Sequence, residues 1–415
     1  MSVRTKTKTR LAFSKTGLVC SGGATKAAAF HVGVCLALRD KGFTFLGGKA
    51  TEPAPVNTIA YPRPNRPPQE IGTYVGSSAG ALIACLLAAG VSAESLINSL
   101  SENSDLSIPG NHPVLPKITY RDMLAINWMK PAQILRNFKQ SPLFGRTIES
   151  LFLKNLRLPG LFSTRGLAAY LQKNVLPTND FSELQADLFV VGTQLDHSRK
   201  VIFGRYSTGK VFDTYSQYSS NASISDAVAA SMSLPPIYAP YPINHPGDKQ
   251  RYYIDGEIRE TLSTHVAKDN GCDLIICSYT HQPYHFKPEI GSLFNYGLAA
   301  IIIQTVYQAI EQKVYGARKV HENKVLALET VKKFFAEKKY PKEDLEELSQ
   351  RLRTALDFKE TLNYIFIHPE PRDREMFFGD HFTLDAQSLQ NVVSIGYRRG
   401  IAELRRYDFT PVAAK

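Results

Sequence analysis

The stretch Gly72–Gly90 constrains this chain more than any other. A short β-favouring run, Thr73-Tyr74-Val75, meets Gly76-Ser77-Ser78-Ala79-Gly80 and then an Ala/Leu-rich run ending at Gly90. That order predicts strand, tight turn and helix in succession. Small residues at Gly76 and Gly80 let the backbone bend sharply and let strand and helix approach each other. The Ser78 hydroxyl then points out of the turn beside the first N–H groups of the helix. The pattern G-x-S-x-G alone is weak, so the strand and helix around it carry the weight. Ser78 is the candidate nucleophile, and the rest of the chain must supply a base and an oxyanion hole.

An earlier segment has the same grammar. The buried-type strand Thr16–Cys20 runs into Ser21-Gly22-Gly23-Ala24-Thr25-Lys26 and an Ala-rich helix that stops at Gly42. Backbone N–H groups in such a turn, backed by a helix N-terminus and Lys26, form an anion-binding nest. Neither G-x-G-x-x-G nor G-x-x-x-x-G-K-[ST] is present, which argues against a nucleotide phosphate. A position just before a nucleophile elbow favours an oxyanion hole over a purely structural glycine turn.

Further on, Leu188–Leu195 and Lys200–Gly204 read as a buried hairpin. A helix opens at Ser223-x-x-Asp226, a capping-box-like spacing, and runs to Met232. The strand Arg251–Glu257 contains Asp255-Gly256, which puts a carboxylate at its tip; an isolated Asp-Gly is more often a plain turn. Cys272–Ser278 and Asn363–Ile367 read as buried parallel-type strands. Helical stretches run from about Leu293 to His321 and, charged, over residues 322–360. These predict a helical hairpin, either a solvated arm or a dimer contact. A last helix spans about Asp385 to Leu404.

With 415 residues the chain can form one large α/β domain with insertions, or two domains. Its net charge of +11 is uneven: residues 1–17 carry five basic and no acidic side chains, and residues 111–165 nine and two. A localised basic surface suits an anionic partner, membrane or nucleic acid, against a flexible tail plus a solubilising face. Residues 1–15 are expected to be a mobile tail and the proline-rich residues 45–70 an exposed excursion. Over residues 103–165, large apolar side chains beside Lys130, Arg136 and Lys139 suit an interfacial lid, the alternative being an ordinary cap. The five cysteines, odd in number and without C-x-x-C, read as reduced buried thiols of a cytoplasmic protein. No apolar run is long enough for a signal peptide or a bilayer span, so any membrane contact would be peripheral.

Taken in order, these blocks resemble the patatin-like phospholipase family from about Gly17 to Leu404. Ser21–Lys26 is similar to its glycine-rich oxyanion loop, Gly76–Gly80 to its elbow and Asp255-Gly256 to its catalytic Asp-Gly. Val191–Asp196 and Ala229–Pro236 are similar to its linking blocks. The resemblance implies one α/β domain over residues 16–410, with a three-layer α/β/α fold around a mainly parallel sheet and helical cap and hairpin insertions. It implies a lipid acyl hydrolase with a Ser78–Asp255 dyad, an acyl-enzyme and no metal or cofactor. Gly22, Gly23 and Ala24 would give the oxyanion N–H groups, with Lys26, Gly76, Gly80 and Gly256 in support. The partner it implies is a lipid ester; the basic surface then reads as peripheral contact with an anionic membrane rather than nucleic acid. The chain departs from the family at Ala24, where a glycine is usual, at Ala27, and at Glu257, where Gly or Ala usually follows Asp-Gly. Rival readings are a Ser-Asp-His esterase using His368 or His381, an acyltransferase, and a degraded lipid-binding scaffold. The oligomeric state is not legible.

Overall fold

A computed structural model of the chain describes residues 8–52, 67–100, 115–126, 160–197, 199–205, 216–245, 250–359 and 361–409. Its strands, in chain order, are β1 (Thr9–Arg10), β2 (Thr16–Cys20), β3 (Thr44–Phe45), β4 (Glu70–Ser77), β5 (Ala125–Ile126), β6 (Phe162–Ser163), β7 (Asp187–Gln194), β8 (Arg199–Phe203), β9 (Ser216–Ser219), β10 (Tyr241–Ile243), β11 (Arg251–Asp255), β12 (Leu274–Ser278), β13 (Asn363–Ile367) and β14 (Tyr407–Asp408). Hydrogen-bonded neighbours in the main sheet run β10-β11-β7-β4-β2-β12-β13, with β11 and β4 on one side of β7, β8 and then β9 on the other, and β3 against β4. The four junctions joining β7, β4, β2, β12 and β13 are parallel, whereas β8, β10 and β11 add antiparallel pairings.

Strands β2, β7 and β12 are buried along their whole length, as expected where helices cover both faces. Successive side chains go to opposite faces. Leu18, Cys20, Leu188, Val190, Leu274 and Ile276 therefore join one apolar cluster, and Val19, Phe189, Val191, Ile275 and Cys277 the other. The first cluster is closed by helices α1 (Ala24–Asp40) and α2 (Ala79–Ala88) and by the last helix, Ala386–Leu404. The second takes Val266, Ile310 and Val314 from the helices Thr264–Asp269 and Gly297–Lys338. This is the three-layer α/β/α arrangement with a mostly parallel central sheet. All five cysteines are buried and free.

Helix α1 and the last helix touch backbone to backbone. A Cβ on Gly33 would lie 2.1 Å from Val393 O, and one on Gly396 2.1 Å from Phe30 O. Helix starts follow their caps: Ser92 Oγ accepts from Ser95 N–H at 3.1 Å, and Ser223 Oγ from Asp226 N–H at 3.2 Å.

Three expectations need adjustment. The fold starts within the expected tail: Thr9 and Arg10 pair with Tyr407 and Asp408, and Leu11 is buried. The helix at Gly297 does not break near His321 but continues to Lys338, because charged residues do not end a helix and no proline intervenes before Pro341. Lys339, at φ 56°, then closes it in the left-handed region, and a second helix runs Lys342–Ala355. Of residues 45–70, Phe45 and Glu70 belong to strands, and 53–66 lie outside the described residues. Most of 103–165, including Lys130, Arg136 and Lys139, also lies outside them.

Candidate active site

Strand β4 pairs with residues 187–191 of β7 and ends with Ser77 opposite Val191. Strand β11 pairs with residues 192–194 and ends with Asp255 opposite Gly192. Because β8 occupies the other side of β7 over residues 190–194, β4 and β11 lie on the same side and run tip to tip. The register alone thus brings the elbow and the Asp-Gly turn together.

At the tip of β4, Ser78 has φ 52° and ψ −125°, an uncommon backbone state for a residue with a Cβ and a mark of a strained functional turn. The glycines around it are required by contact. A Cβ on Gly76 would meet Gly80 O at 2.3 Å, and one on Gly80 would meet Cys20 O at 2.2 Å. The Ser78 N–H donates to Ser231 Oγ at 2.8 Å, and the Ser231 hydroxyl donates to Val191 O at 2.6 Å. Ser231, which the sequence reading did not single out, braces the elbow against β7.

The Asp255 side chain is almost fully buried. Burial pushes its pKa up to about 6, against the opposing pull of the neighbouring Ser78 side chain and of the Glu257 N–H, which donates to Asp255 Oδ1 at 2.9 Å. Gly256 turns the chain where a Cβ would lie 2.1 Å from Val191 O.

The glycine loop lies at the end of β2. Gly23 has φ 129° and Ala24 φ 59°, so the departure at Ala24 puts a Cβ into the left-handed region, at a cost of about 1 kcal/mol. Thr280 Oγ1 donates to Gly22 O at 2.8 Å. In a trans peptide the C=O and N–H point opposite ways, so the Gly23 N–H faces away from Thr280. Among the described residues neither the Gly23 nor the Ala24 N–H is hydrogen-bonded. The Gly22 N–H is taken: it donates to Glu257 Oε1 at 2.7 Å, and the Ser77 hydroxyl donates to the same oxygen. Of the three expected donors, two are therefore open and one is engaged by the side chain that departs from the family pattern.

Lys26 is also redirected. Its ammonium donates to Gly379 O at 2.7 Å and Met376 O at 3.2 Å, ending the short helix Glu375–Phe378 rather than facing the nest. Burial lowers its pKa to about 8. The loop is held from beneath by His31, which burial keeps neutral with a pKa of about 4. Its Nε2–H donates to Ser21 O at 2.8 Å and its Nδ1 accepts from Ser278 Oγ at 2.6 Å.

Neither Ser78 nor Asp255 hydrogen-bonds a histidine among the described residues. His368 donates to Pro369 O at 2.8 Å and stacks on Tyr279, while His381 pairs with Tyr307 OH at 2.7 Å. The two histidines that a Ser-Asp-His triad would need are engaged elsewhere.

Beside the elbow is a cavity of about 130 Å³ between α1 and α2. Its walls include Ala24, Ala28 and Val32 on one side and Ala79, Leu82 and Leu86 on the other. Leu115, Ile118 and Met123, from the described part of the expected lid, also line it.

Residues 18–268 match the family model of the patatin-like phospholipases. The chain belongs to the patatin-like phospholipase family. Members of that family are lipid acyl hydrolases, and membership supports this activity in general. Among solved structures, the patatin-like chain is similar to VipD from Legionella pneumophila at 14% identity, over 97% of this chain and 72% of that one, with a TM-score of 0.33. No helix among its described residues is long and apolar enough to cross a membrane.

Proposed function

We propose that this patatin-like protein cleaves acyl ester bonds of phospholipids or related lipids through a Ser78–Asp255 dyad. The observation that carries the reading is the strand register that sets the Ser78 elbow at the tip of β4 against the buried Asp255 at the tip of β11, a carboxylate whose pKa burial pushes up to about 6. An ordinary aspartate is too weak a base to take a serine proton, and desolvation moves it toward the working range. Ser78 Oγ attacks the ester carbonyl carbon while Asp255 accepts its proton. The tetrahedral oxyanion is met by the Gly23 and Ala24 N–H groups at the start of α1, where the helix dipole also favours negative charge.

Collapse of that intermediate expels the alcohol, which takes the proton from Asp255 and leaves Ser78 acylated. Water, deprotonated by Asp255, then releases the fatty acid and restores the serine. The acyl chain lies in the cavity along α2, where Ala79 to Leu86 span about 10 Å of helix. An apolar chain gains there by leaving water, and the walls offer few polar groups to orient anything else.

Fluorophosphonate labelling of the wild type against Ser78→Ala and Asp255→Asn, followed by a lipid panel with mass analysis, tests this reading. The wild type is expected to label and to release fatty acid, and both variants to lose at least a hundredfold in rate. Equal labelling of wild type and Ser78→Ala would refute the assignment.

A further inference from the structure

Glu257 stands one residue beyond the Asp-Gly turn and connects both halves of the site. Its backbone N–H is held by the Asp255 carboxylate at 2.9 Å. Its side chain reaches across to the glycine loop, where Oε1 accepts from Gly22 N–H and from Ser77 Oγ. The fit is close: a Cβ on Gly22 would lie 2.6 Å from Glu257 Cγ and 2.7 Å from Ser78 Cβ. Oε2 is buried without a hydrogen bond among the described residues. A charge-capable oxygen thus sits on a backbone donor within contact range of the nucleophile.

We propose that Glu257 is a positioning residue that gates the oxyanion hole, its ionised carboxylate holding the Gly22 N–H and opposing the charge of the intermediate until it is protonated or displaced. The proposal rests on the dyad reading above and deepens it. The chemistry of the oxyanion gives the reason. An anion forming on the ester oxygen needs N–H donors and no second anion beside them, and one such donor is worth roughly 10²–10³ in kcat. A carboxylate accepting charge-assisted hydrogen bonds from Gly22 and Ser77 provides the opposite.

The groups that face Glu257 are the Gly22 N–H from the β2–α1 loop, the Ser77 hydroxyl from β4, the Thr261 hydroxyl and the Asp255 carboxylate. Asp255 is the ionisable one among them. Burial first, and repulsion by Asp255 next, push the Glu257 pKa up to about 7, which puts the gate in the physiological range. Since the two carboxylates act on each other, the apparent values belong to the pair.

The test is kcat/KM against pH for a soluble short-chain ester, on the full chain as wild type, Glu257→Gln and Glu257→Ala, with Ser78→Ala as the blank. Wild type is expected to rise near pH 6 as Asp255 ionises and to fall above about pH 7 as Glu257 ionises, a bell. Both Glu257 variants lose the alkaline limb. Glu257→Ala, which also frees the Gly22 N–H, gains at least tenfold at pH 8, and Glu257→Gln, whose amide oxygen still takes that N–H, gains less. An alkaline limb that persists in the variants, or a rate at pH 8 that does not rise in either, overturns the gate while leaving the dyad intact. If Glu257→Ala does not fold by circular dichroism, the alkaline limb of Glu257→Gln decides. If neither the wild type nor the Glu257 variants show a Ser78-dependent rate, the dyad reading falls and the gate with it.

Discussion

Ser77 and Asp255 pair with consecutive residues of β7, Val191 and Gly192. The separation of the proposed nucleophile and base, Ser78 and Asp255, is therefore a property of backbone register, not of long side chains that could adjust. Asp255→Glu, which adds one methylene, pushes the carboxylate into the elbow. A misplacement of about 1 Å can cost roughly a hundredfold, so the variant should fold with wild-type circular dichroism and lose about that factor in kcat. Activity near wild type would mean that the pair is more adjustable than its register implies.

Ser231 is tied to both sides of the elbow, accepting from Ser78 N–H and donating to Val191 O. Ser231→Ala leaves a buried N–H and a buried carbonyl without that bridge. The expected loss is about 1–3 kcal/mol in urea unfolding, together with a lower kcat. Ser231→Thr, which keeps the hydroxyl, should recover part of both.

Acidity should affect stability in the direction opposite to that of an ordinary salt-bridged aspartate. An aspartate ordinarily has a pKa of 3.8, and burial raises that of Asp255 in the folded chain to about 6. Below the first value both states are protonated and nothing is gained or lost. Between the two the unfolded chain releases its proton while the folded one keeps it, so stability falls as pH rises, and the penalty is complete above about 6. Asp255→Asn should thus gain stability over the wild type at pH 8, by up to about 3 kcal/mol, and far less at pH 4. Melting temperatures at the two pH values check this; a gain independent of pH would count against a buried, proton-holding carboxylate.

The cavity beside α2 should set chain-length preference. Ala28 lines it from α1, and Ala28→Phe would fill it without touching Ser78 or Asp255. Turnover of a two- or four-carbon ester should stay within about threefold of wild type, while kcat/KM for long acyl chains falls at least tenfold. Equal losses on short and long chains would place the acyl group elsewhere.

The parts of this site legible in the sequence are those that the backbone demands. Gly76, Gly80 and Gly256 are written as glycine because a Cβ would overlap another backbone atom at each, and the buried strands leave apolar runs that bracket them. The reach of side chains between distant segments leaves no such mark. Glu257 and Gly22 are 235 positions apart, and Lys26 meets Met376 O 350 positions away. Periodicity says on which face a residue lies, not which distant loop waits there. The helix Gly297–Lys338 runs past its expected end for a related reason: a change from apolar to charged residues marks where a helix leaves the core, not where it ends.

The contact between Gly33 and Val393 has a consequence for truncation. The family match ends at residue 268, yet the helix behind the glycine loop is clasped by one that starts at Ala386. The neighbour of β2 away from the elbow is β12, at Leu274–Ser278. A chain cut at residue 268 would turn β2 into a bare edge strand and strip the outer side of α1. It would retain Ser78 and Asp255 and still lack the scaffold that keeps the glycine loop beside them. The smallest unit that folds here is larger than the unit that carries the family's signature.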